Sequence, residues 1–369
     1  MSAATARPFA AEERRAAIVG AVLLAAGAAG FVVAGAEQFY RSYLHGFAFV
    51  IGIPFGCLML QMIHSLTGGR WGMPLRRHFI AAATTLPLLA VLFLPVLAGQ
   101  KTLYPWTRPE AASDPILVHK AVYLDWTFFI GRAAVVFVVW TAVAFLLRDR
   151  VRKRGFDEAP GRAQRVIAGP GIVLCALTMS LAAVDWLMSI EPHWFSTMFP
   201  VLVIVGQMLS AMCFVVAGYI HLRTKHEPEL DVDVVHDLGN LLLVFTMLWA
   251  YCAYSQYLII YAGNLSEDVT WYIPRSEGGW RIMAIAMVVG HFVVPFMILL
   301  SRRAKRSAAV LGKVAFGLLI MRLVELFWMC APSFYGKTLA VHWLDVVLPV
   351  GLGALWLAVF LRRLTQEAA

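Results

Sequence analysis

Ten long apolar runs, separated by short polar segments, follow one another along this chain of 369 residues. A helix rises about 1.5 Å per residue, so a run of about twenty residues crosses the roughly 30 Å apolar layer of a bilayer. The pattern therefore predicts an all-α integral membrane protein with ten transmembrane helices, forming a single polytopic domain over residues 1–369. The spans are expected at about 16–36, 44–64, 78–98, 124–147, 166–190, 197–221, 239–262, 281–300, 309–331 and 340–361.

Composition and charge agree with this pattern. Hydrophobic residues make up 60% of the chain and charged residues 14%, whereas about a quarter of the residues in a soluble domain carry charge. A net charge of +9 would suggest nucleic acid as the partner of a soluble protein, but here Lys and Arg cluster in loops, where they set orientation. Most of them, including the basic segment 148–154, lie on the side of the termini. We therefore expect cytoplasmic termini, a lipid bilayer as partner and no nucleic acid.

The side of the membrane opposite the termini is called the outer face below. The two longest loops on this side are residues 99–120 and 263–280.

The five cysteines stand singly in apolar segments, without a C-x-x-C or C-x-x-C-H motif. Covalent haem, iron–sulfur clusters, disulfides and metal sites are therefore not expected. His64 and His221, near the inner ends of their spans, could in principle face each other as haem ligands, but lone histidines at such positions are usually interfacial.

An internal repeat is visible when the fifth span is aligned with the ninth. Asp185 and Glu325 each stand seven residues before a proline in this alignment. A period of four helices keeps the direction of each repeat the same, which corresponds to a symmetry axis along the membrane normal. The repeat predicts two four-helix bundles, helices two to five (44–190) and six to nine (197–331), flanked by helices one and ten.

The same repeat aligns Arg132 in the fourth span with His291 in the eighth. Counted along their helices, five ionisable side chains reach the outer half of the membrane, where we expect them to converge: Asp125, Arg132, Asp185, His291 and Glu325. Ionisable groups in membrane spans are rare, and they usually mark a functional site.

Arg322 and Glu325 are three residues apart on one helical face, which favours a local ion pair that lowers the cost of burying both. Asp185 opens the most distinctive segment of the chain, residues 185–196 (DWLMSIEPHWFS). We expect Asp185 to be the acid most closely coupled to function.

Residues 185–196, residues 119–137 (HKAVYLDWTFFIGRAAVVF) and the ten spans resemble the ActF-type membrane subunits of alternative complex III. These subunits belong to the NrfD-like, or polysulfide-reductase-membrane-subunit-like, family, and the resemblance covers nearly the whole chain. It implies two four-helix bundles in a membrane subunit of a quinol:cytochrome c oxidoreductase of the bacterial inner membrane. The implied partners are an iron–sulfur subunit, a multihaem cytochrome c subunit and a homologous NrfD-like membrane subunit. No covalently bound cofactor is expected, and the implied small molecule is quinol or menaquinol.

Two mechanisms follow from these residues. A quinol head group could lie between Asp185, His291 and aromatic side chains, or carboxylates and His291 could form a proton relay through waters. The candidates for the relay or the quinol environment are Asp125, Arg132, Asp185, His291, Arg322 and Glu325.

Three further residues of segment 185–196, Glu191, His193 and Trp194, are expected to border quinol or an interface. The alternative function is a secondary transporter of the inner membrane, which also uses repeats and charges at mid-membrane depth. A transporter would be expected to have a Gly/Pro-broken span at matching positions in both halves, and the sequence shows no such pair.

Overall fold

A computed structural model describes residues 9–226 and 231–368, without the side chains of 223–226 and 368. In this part of the chain ten helical segments are long and apolar enough to cross a membrane, which confirms the predicted all-α multi-pass fold. The first part of the polar N-terminal tail, residues 1–8, lies outside the described residues. The segments are α1 (Ala10–Val33), α2 (Ala36–Thr67), α3 (Met73–Ala98), α4 (Trp126–Arg154), α5 (Arg162–Ile190), α6 (Met198–His226), α7 (Val232–Gly263), α8 (Gly278–Leu300), α9 (Ala308–Tyr335) and α10 (Leu344–Ala368).

The largest difference from the predicted boundaries lies between α1 and α2. Helix α2 begins at Ala36, well before the expected residue 44, and only Ala34 and Gly35 separate it from α1. Gly35 has φ of 87°, a backbone conformation that glycine adopts without steric cost, so the chain reverses in two residues. The polar residues at the start of α2 therefore continue the helix instead of forming a loop.

The helices form two closed groups of four. In the first group α2 contacts α3, α3 contacts α4, α4 contacts α5 and α5 contacts α2, and the same cyclic pattern relates α6 to α9. The two groups meet where α2 packs against α6 and α9, and α10 packs against both α1 and α2. Helix α2 is consequently the central element of the molecule, with 89% of its most apolar stretch buried.

Spans α3 and α8 are irregular well inside their length, in both cases near a proline, whereas α5 and α9 break only close to their C-terminal ends. Helix α3 is interrupted at Thr84 and Thr85, just before Pro87, and α8 contains a π-helical stretch, Val288–Val293, just before Pro295. Proline has no N–H to donate, so the helix ladder loosens beside it. Helix α7, the counterpart of α3 in the repeat, is continuous. The two irregular spans therefore occupy different positions in their groups.

Candidate functional site

The first buried ionisable group joins α4 to α5. Arg132 Nε donates to Asp185 Oδ2 at 2.7 Å, and Arg132 Nη2 donates to Asp185 Oδ1 at 3.1 Å. Asp185 is 2% exposed, and the guanidinium lies over the ring of Tyr123 with its Cζ 4.1 Å from the centroid. Two parallel hydrogen bonds from one guanidinium give a strong and geometrically defined ion pair. Both oxygens of Asp185 are therefore occupied.

The second buried group joins α6, α7 and α9. Arg322 Nη1 donates to Glu325 Oε2, so the predicted local ion pair is present. The indole Nε1 of Trp249 donates to Glu325 Oε1 at 2.8 Å, and Arg322 Nε donates to Ser210 Oγ at 3.2 Å. Arg322 and Glu325 are almost completely buried, which means that the ion pair is shielded from solvent.

His291 adds α8 to this second group. It lies in the π-helical stretch Val288–Val293, and its ring packs on Trp249 with centroids 3.8 Å apart. Its Nδ1 is 3.4 Å from Glu325 Oε2, yet among the described residues neither ring nitrogen has a hydrogen-bond partner, and the side chain is 0% exposed. An unsatisfied buried polar group costs about 1–3 kcal/mol, and such groups in native proteins call for an explanation such as a water or a catalytic role. His291 is therefore the least satisfied member of the group.

A glycine on α6 makes room for Arg322. A Cβ on Gly206 would collide with the Arg322 guanidinium, whereas Ser210, one turn further along α6, supplies a hydrogen-bond acceptor to the same group. The close approach of α6 and α9 at this level thus depends on the absence of a side chain at residue 206.

The repeat aligns Asp185 with Glu325 and Arg132 with His291, and the structure shows which of these residues interact. Asp185 bonds to Arg132, and Glu325 lies beside His291. The interactions of the first pair involve α4 and α5, whereas those of the second involve α6 to α9. The expected convergence of all the candidate groups is therefore replaced by two separate groups, one in each helix bundle.

Asp125 has a structural position. Its backbone precedes the first residue of α4, and its Oδ1 accepts a hydrogen bond from Phe128 N at 2.9 Å. This is the geometry of a helix N-cap, which satisfies an otherwise unpaired amide. The carboxylate therefore caps α4.

Glu191 ties the segment after α5 to the second bundle. Arg275 Nη2 donates to Glu191 Oε1 at 2.9 Å and to Met329 O at 2.7 Å, and the Ser333 hydroxyl also donates to Glu191. Burial lowers the pKa of Arg275 from its ordinary value, while the Glu191 carboxylate opposes this shift. The arginine is stacked on Trp271 with Cζ 3.8 Å from the centroid. Glu191 therefore belongs to an interface inside the chain.

His193 and Trp194 fasten the same segment to the two outer loops. His193 Nε2 lies 2.6 Å from Asp114 Oδ2, and the Trp194 indole donates to Asp268 O at 3.0 Å. The hydrogen bond with His193 holds the pKa of Asp114 below its ordinary value. Trp194 also stacks on Trp271, with centroids 5.0 Å apart. These contacts hold the segment against the two outer loops within the chain.

A third buried polar group, which the sequence analysis missed, joins α2 to α10. Asp345 Oδ1 accepts from Ser42 Oγ at 2.5 Å and from Gln38 Nε2 at 3.4 Å, and its Oδ2 accepts from His342 N at 2.8 Å. His45 Nε2 lies 3.1 Å from the carbonyl oxygen of Asp345. We call these residues the α2–α10 group. Asp345 stands three residues after His342, a spacing that is typical of a helix N-terminus. This spacing does not indicate that Asp345 contacts α2.

Trp249, Ser210 and Arg275 were also missed, because single polar residues in apolar or loop segments carry no distinguishing spacing. Within the described residues, no group of three or more His, Cys, Asp and Glu side chains is placed to hold a metal ion. The two histidines of the haem alternative differ in environment: His64 is buried with Nε2 3.1 Å from Gly69 O, whereas His221 is exposed.

A scan against protein-family models and a search of curated proteins find no match to this chain. The features that bear on function are the three buried groups and the sequence resemblance of residues 185–196 and 119–137.

Proposed function

We propose that this chain is the proton-conducting membrane subunit of a quinol:cytochrome c oxidoreductase of the alternative complex III type. It resides in the bacterial inner membrane with both termini in the cytoplasm. Its partners are an iron–sulfur subunit, a multihaem cytochrome c subunit and a homologous NrfD-like membrane subunit, which carry electrons from quinol or menaquinol. The support for the complex is the sequence resemblance, and the support for proton conduction is the group around His291.

The observation that carries the proton role is the unsatisfied ring of His291 beside Glu325. A neutral imidazole has one N–H and one lone pair, so it can both accept and release a proton without a change in its position. Glu325 Oε2, 3.4 Å away, is the nearest carboxylate oxygen, and a water can serve the other ring nitrogen. Proton exchange between Glu325 and His291 needs only a small ring movement. Such groups contribute most when they are within hydrogen-bond reach of each other.

The Arg132–Asp185 pair supports a proton role less well. Both carboxylates are hydrogen-bonded to an arginine, but Glu325 also lies beside His291, whose ring can exchange a proton, whereas the side chain across from Asp185 is Arg132, which keeps its proton. A quinol site between Asp185 and His291 is also disfavoured, because these residues interact with different helices. The pair is better explained as a fixed link between α4 and α5.

The transporter alternative receives no support from the broken spans. Transporters with repeats bind their substrates at discontinuous helices in corresponding positions of the two halves. Helix α3 is interrupted beside Pro87, but its counterpart α7 is a continuous helix over Val232–Gly263.

The test is His291→Phe in the complex purified through a tag on this chain. Phenylalanine keeps an aromatic ring over Trp249 and removes both unsatisfied nitrogens, so a structural role predicts unchanged or increased thermal stability. A proton role predicts that proton translocation falls by about 10²-fold or more in reconstituted vesicles. Quinol-dependent cytochrome c reduction and a pH indicator would be recorded together.

The matched control is His64→Phe, because His64 is also fully buried and its ring also contacts a tryptophan, Trp71, with centroids 5.1 Å apart. This control should translocate protons normally. Normal translocation by an assembled His291→Phe complex would refute the proton role. Failure of an iron–sulfur protein and a multihaem cytochrome to co-purify, judged by mass spectrometry, would refute membership of the complex.

A further inference from the structure

A cavity of about 270 Å³ lies at the outer end of the second bundle, between the last two turns of α7 and the outer loop 263–280. Tyr257 and Tyr261 of α7, Tyr272 of the loop and Glu277 line it together with aliphatic side chains. Pockets for drug-sized ligands measure about 300–1,000 Å³, so this cavity fits a smaller group. Tyr257 and Tyr261 are 45% and 68% exposed, which leaves the cavity accessible from the membrane.

The three tyrosine rings form a corner. The rings of Tyr257 and Tyr261 are nearly parallel, at 20° with centroids 5.7 Å apart, whereas Tyr272 meets Tyr257 at 82° with centroids 5.5 Å apart. The face of an aromatic ring attracts a cation, and proteins recognise ammonium groups by placing several such rings around one site. The corner therefore favours a ligand that carries an ammonium group.

Glu277 makes the lining of the cavity acidic. Its carboxylate pairs with Lys337 at 2.9 Å, but this pair is largely exposed, and such surface pairs are weak. Arg275 of the same loop donates its hydrogen bonds to Glu191 and to Met329 O. Neither Lys337 nor Arg275 lines the cavity. The charge of the lining thus complements a cationic ligand.

The cavity lies at the depth of the lipid head groups. Tyr261 stands two residues before the last residue of α7, Gly263, and tyrosine is enriched at this interfacial level of a membrane. Leu258 and Ile259, deeper in the membrane on the same helix, are 44% and 63% exposed. A lipid with its head group in the cavity would therefore place its acyl chains on apolar side chains of α7.

We propose that this cavity binds the head group of a phospholipid that carries a primary ammonium, as phosphatidylethanolamine does. The ammonium lies in the corner of the three rings, and its N–H groups donate to the carboxylate of Glu277 and to phenol oxygens. A quaternary ammonium, as in phosphatidylcholine, has no N–H to donate, so Glu277 favours the primary ammonium. This lipid site and the proton role of His291 are independent of each other.

The first experiment places the full chain in nanodiscs made of equal parts phosphatidylethanolamine and phosphatidylcholine, and native mass spectrometry then measures which lipid stays bound. Anionic lipids are left out, because the basic inner face would also bind them. The chain should retain phosphatidylethanolamine in preference to phosphatidylcholine, and Tyr257→Leu should lower the retained fraction about fivefold. The matched control is Tyr251→Leu, since Tyr251 is also an exposed tyrosine of α7 but does not line the cavity. Equal retention of the two lipids, or equal effects of the two substitutions, would overturn the proposal.

The second experiment tests the carboxylate by two substitutions with opposite expected effects. Glu277→Gln should lower the retention of phosphatidylethanolamine about fivefold, because it removes the negative charge from the lining. Lys337→Met should raise the retention, because it frees Glu277 from its ion pair. Unchanged retention in both variants, or a change in the same direction in both, would overturn the proposal.

Both side chains are exposed, so both variants are expected to fold. These measurements use neither quinol nor cytochrome c. A negative result for the lipid therefore leaves the proposed function standing, and normal proton translocation by His291→Phe leaves the lipid site standing.

Discussion

The two bundles carry ionisable pairs at aligned positions, yet the pairs are built differently. In the first bundle, the residue on the fourth helix is Arg132, which spans to Asp185 and occupies both of its oxygens. In the second bundle, the aligned residue is His291. The arginine that pairs with Glu325 is Arg322, which lies three residues earlier on the same helix. The second carboxylate is therefore neutralised locally, which leaves the histidine without a fixed partner.

This difference teaches how one arrangement can serve for stability in one bundle and for chemistry in the other. A guanidinium does not lose its proton in proteins, so Arg132 and Arg322 both stay charged, and the second group differs from the first in also containing His291. An imidazole beside a carboxylate can change its protonation at physiological pH. We therefore expect substitutions in the first pair to affect stability, and substitutions of His291 and Glu325 to affect proton transfer, with Glu325 also contributing to stability through Arg322.

The largest contrast should come from the two acids. Glu325→Gln should reduce proton translocation in vesicles by about 10²–10⁴-fold, because it removes the group that exchanges a proton with His291. Asp185→Asn should leave translocation per assembled complex nearly unchanged. The control is Glu367→Gln, which removes another buried acid. Glu367 lies near the C-terminal end of α10 and pairs with Arg148 at 2.5 Å. A larger defect in Asp185→Asn than in Glu325→Gln would reverse the comparison.

The stability of the first pair gives the second test. Asp185→Asn should lower the free energy of unfolding by about 3 kcal/mol, because it leaves the guanidinium of Arg132 without its counter-charge. Replacing both residues, Arg132→Met with Asp185→Leu, should recover most of this loss, since a buried ion pair can be exchanged for apolar packing at little cost. Thermal unfolding of the purified chain in detergent measures both. A double variant as unstable as the single one would contradict this account.

The third test separates the close packing around Arg322 from the general effect of glycine in a helix. Gly206→Ala should lower stability by about 1–3 kcal/mol, because the added Cβ collides with the Arg322 guanidinium. Gly218→Ala, on the same helix with nothing within 4 Å of its Cβ, should be neutral or stabilising. Equal effects of the two substitutions would show that Arg322 moves without cost.

The smallest effect concerns the contact between His193 and Asp114 at the outer face. The pKa of Asp114 lies below its ordinary value of 3.8 in the folded chain, so this contact stabilises the fold above that value. Its contribution is lost as the pH falls through the lowered pKa, that is, below about pH 4. Asp114→Asn should remove this acid dependence from the protease sensitivity of loop 99–120. An unchanged dependence in Asp114→Asn would assign it to another group.

Several features were predictable from sequence because they depend on local geometry. The length of an apolar run decides whether a helix crosses the membrane, and the predicted spans agree with the helices to within a few residues at most ends. The Arg322–Glu325 pair was predictable because residues three apart lie on the same helical face. The repeat identified Asp185 and Glu325, and Arg132 and His291, as aligned positions, but it did not show which of these residues interact or that they form two separate groups.

Other features depended on contacts between distant helices. The sequence ranks Asp185 as the leading acid, whereas our proposal assigns the proton role to Glu325. This choice depends on the three-dimensional structure, in which His291 lies beside Glu325 and has no hydrogen-bond partner among the described residues. Asp345 and His45 are 300 residues apart in sequence and meet only because α10 packs on α2. Apolar runs determine which residues enter the membrane, since burial there depends on composition and length. They do not determine which faces meet, because every face of a helix in lipid is apolar and the choice rests on packing and on individual polar contacts.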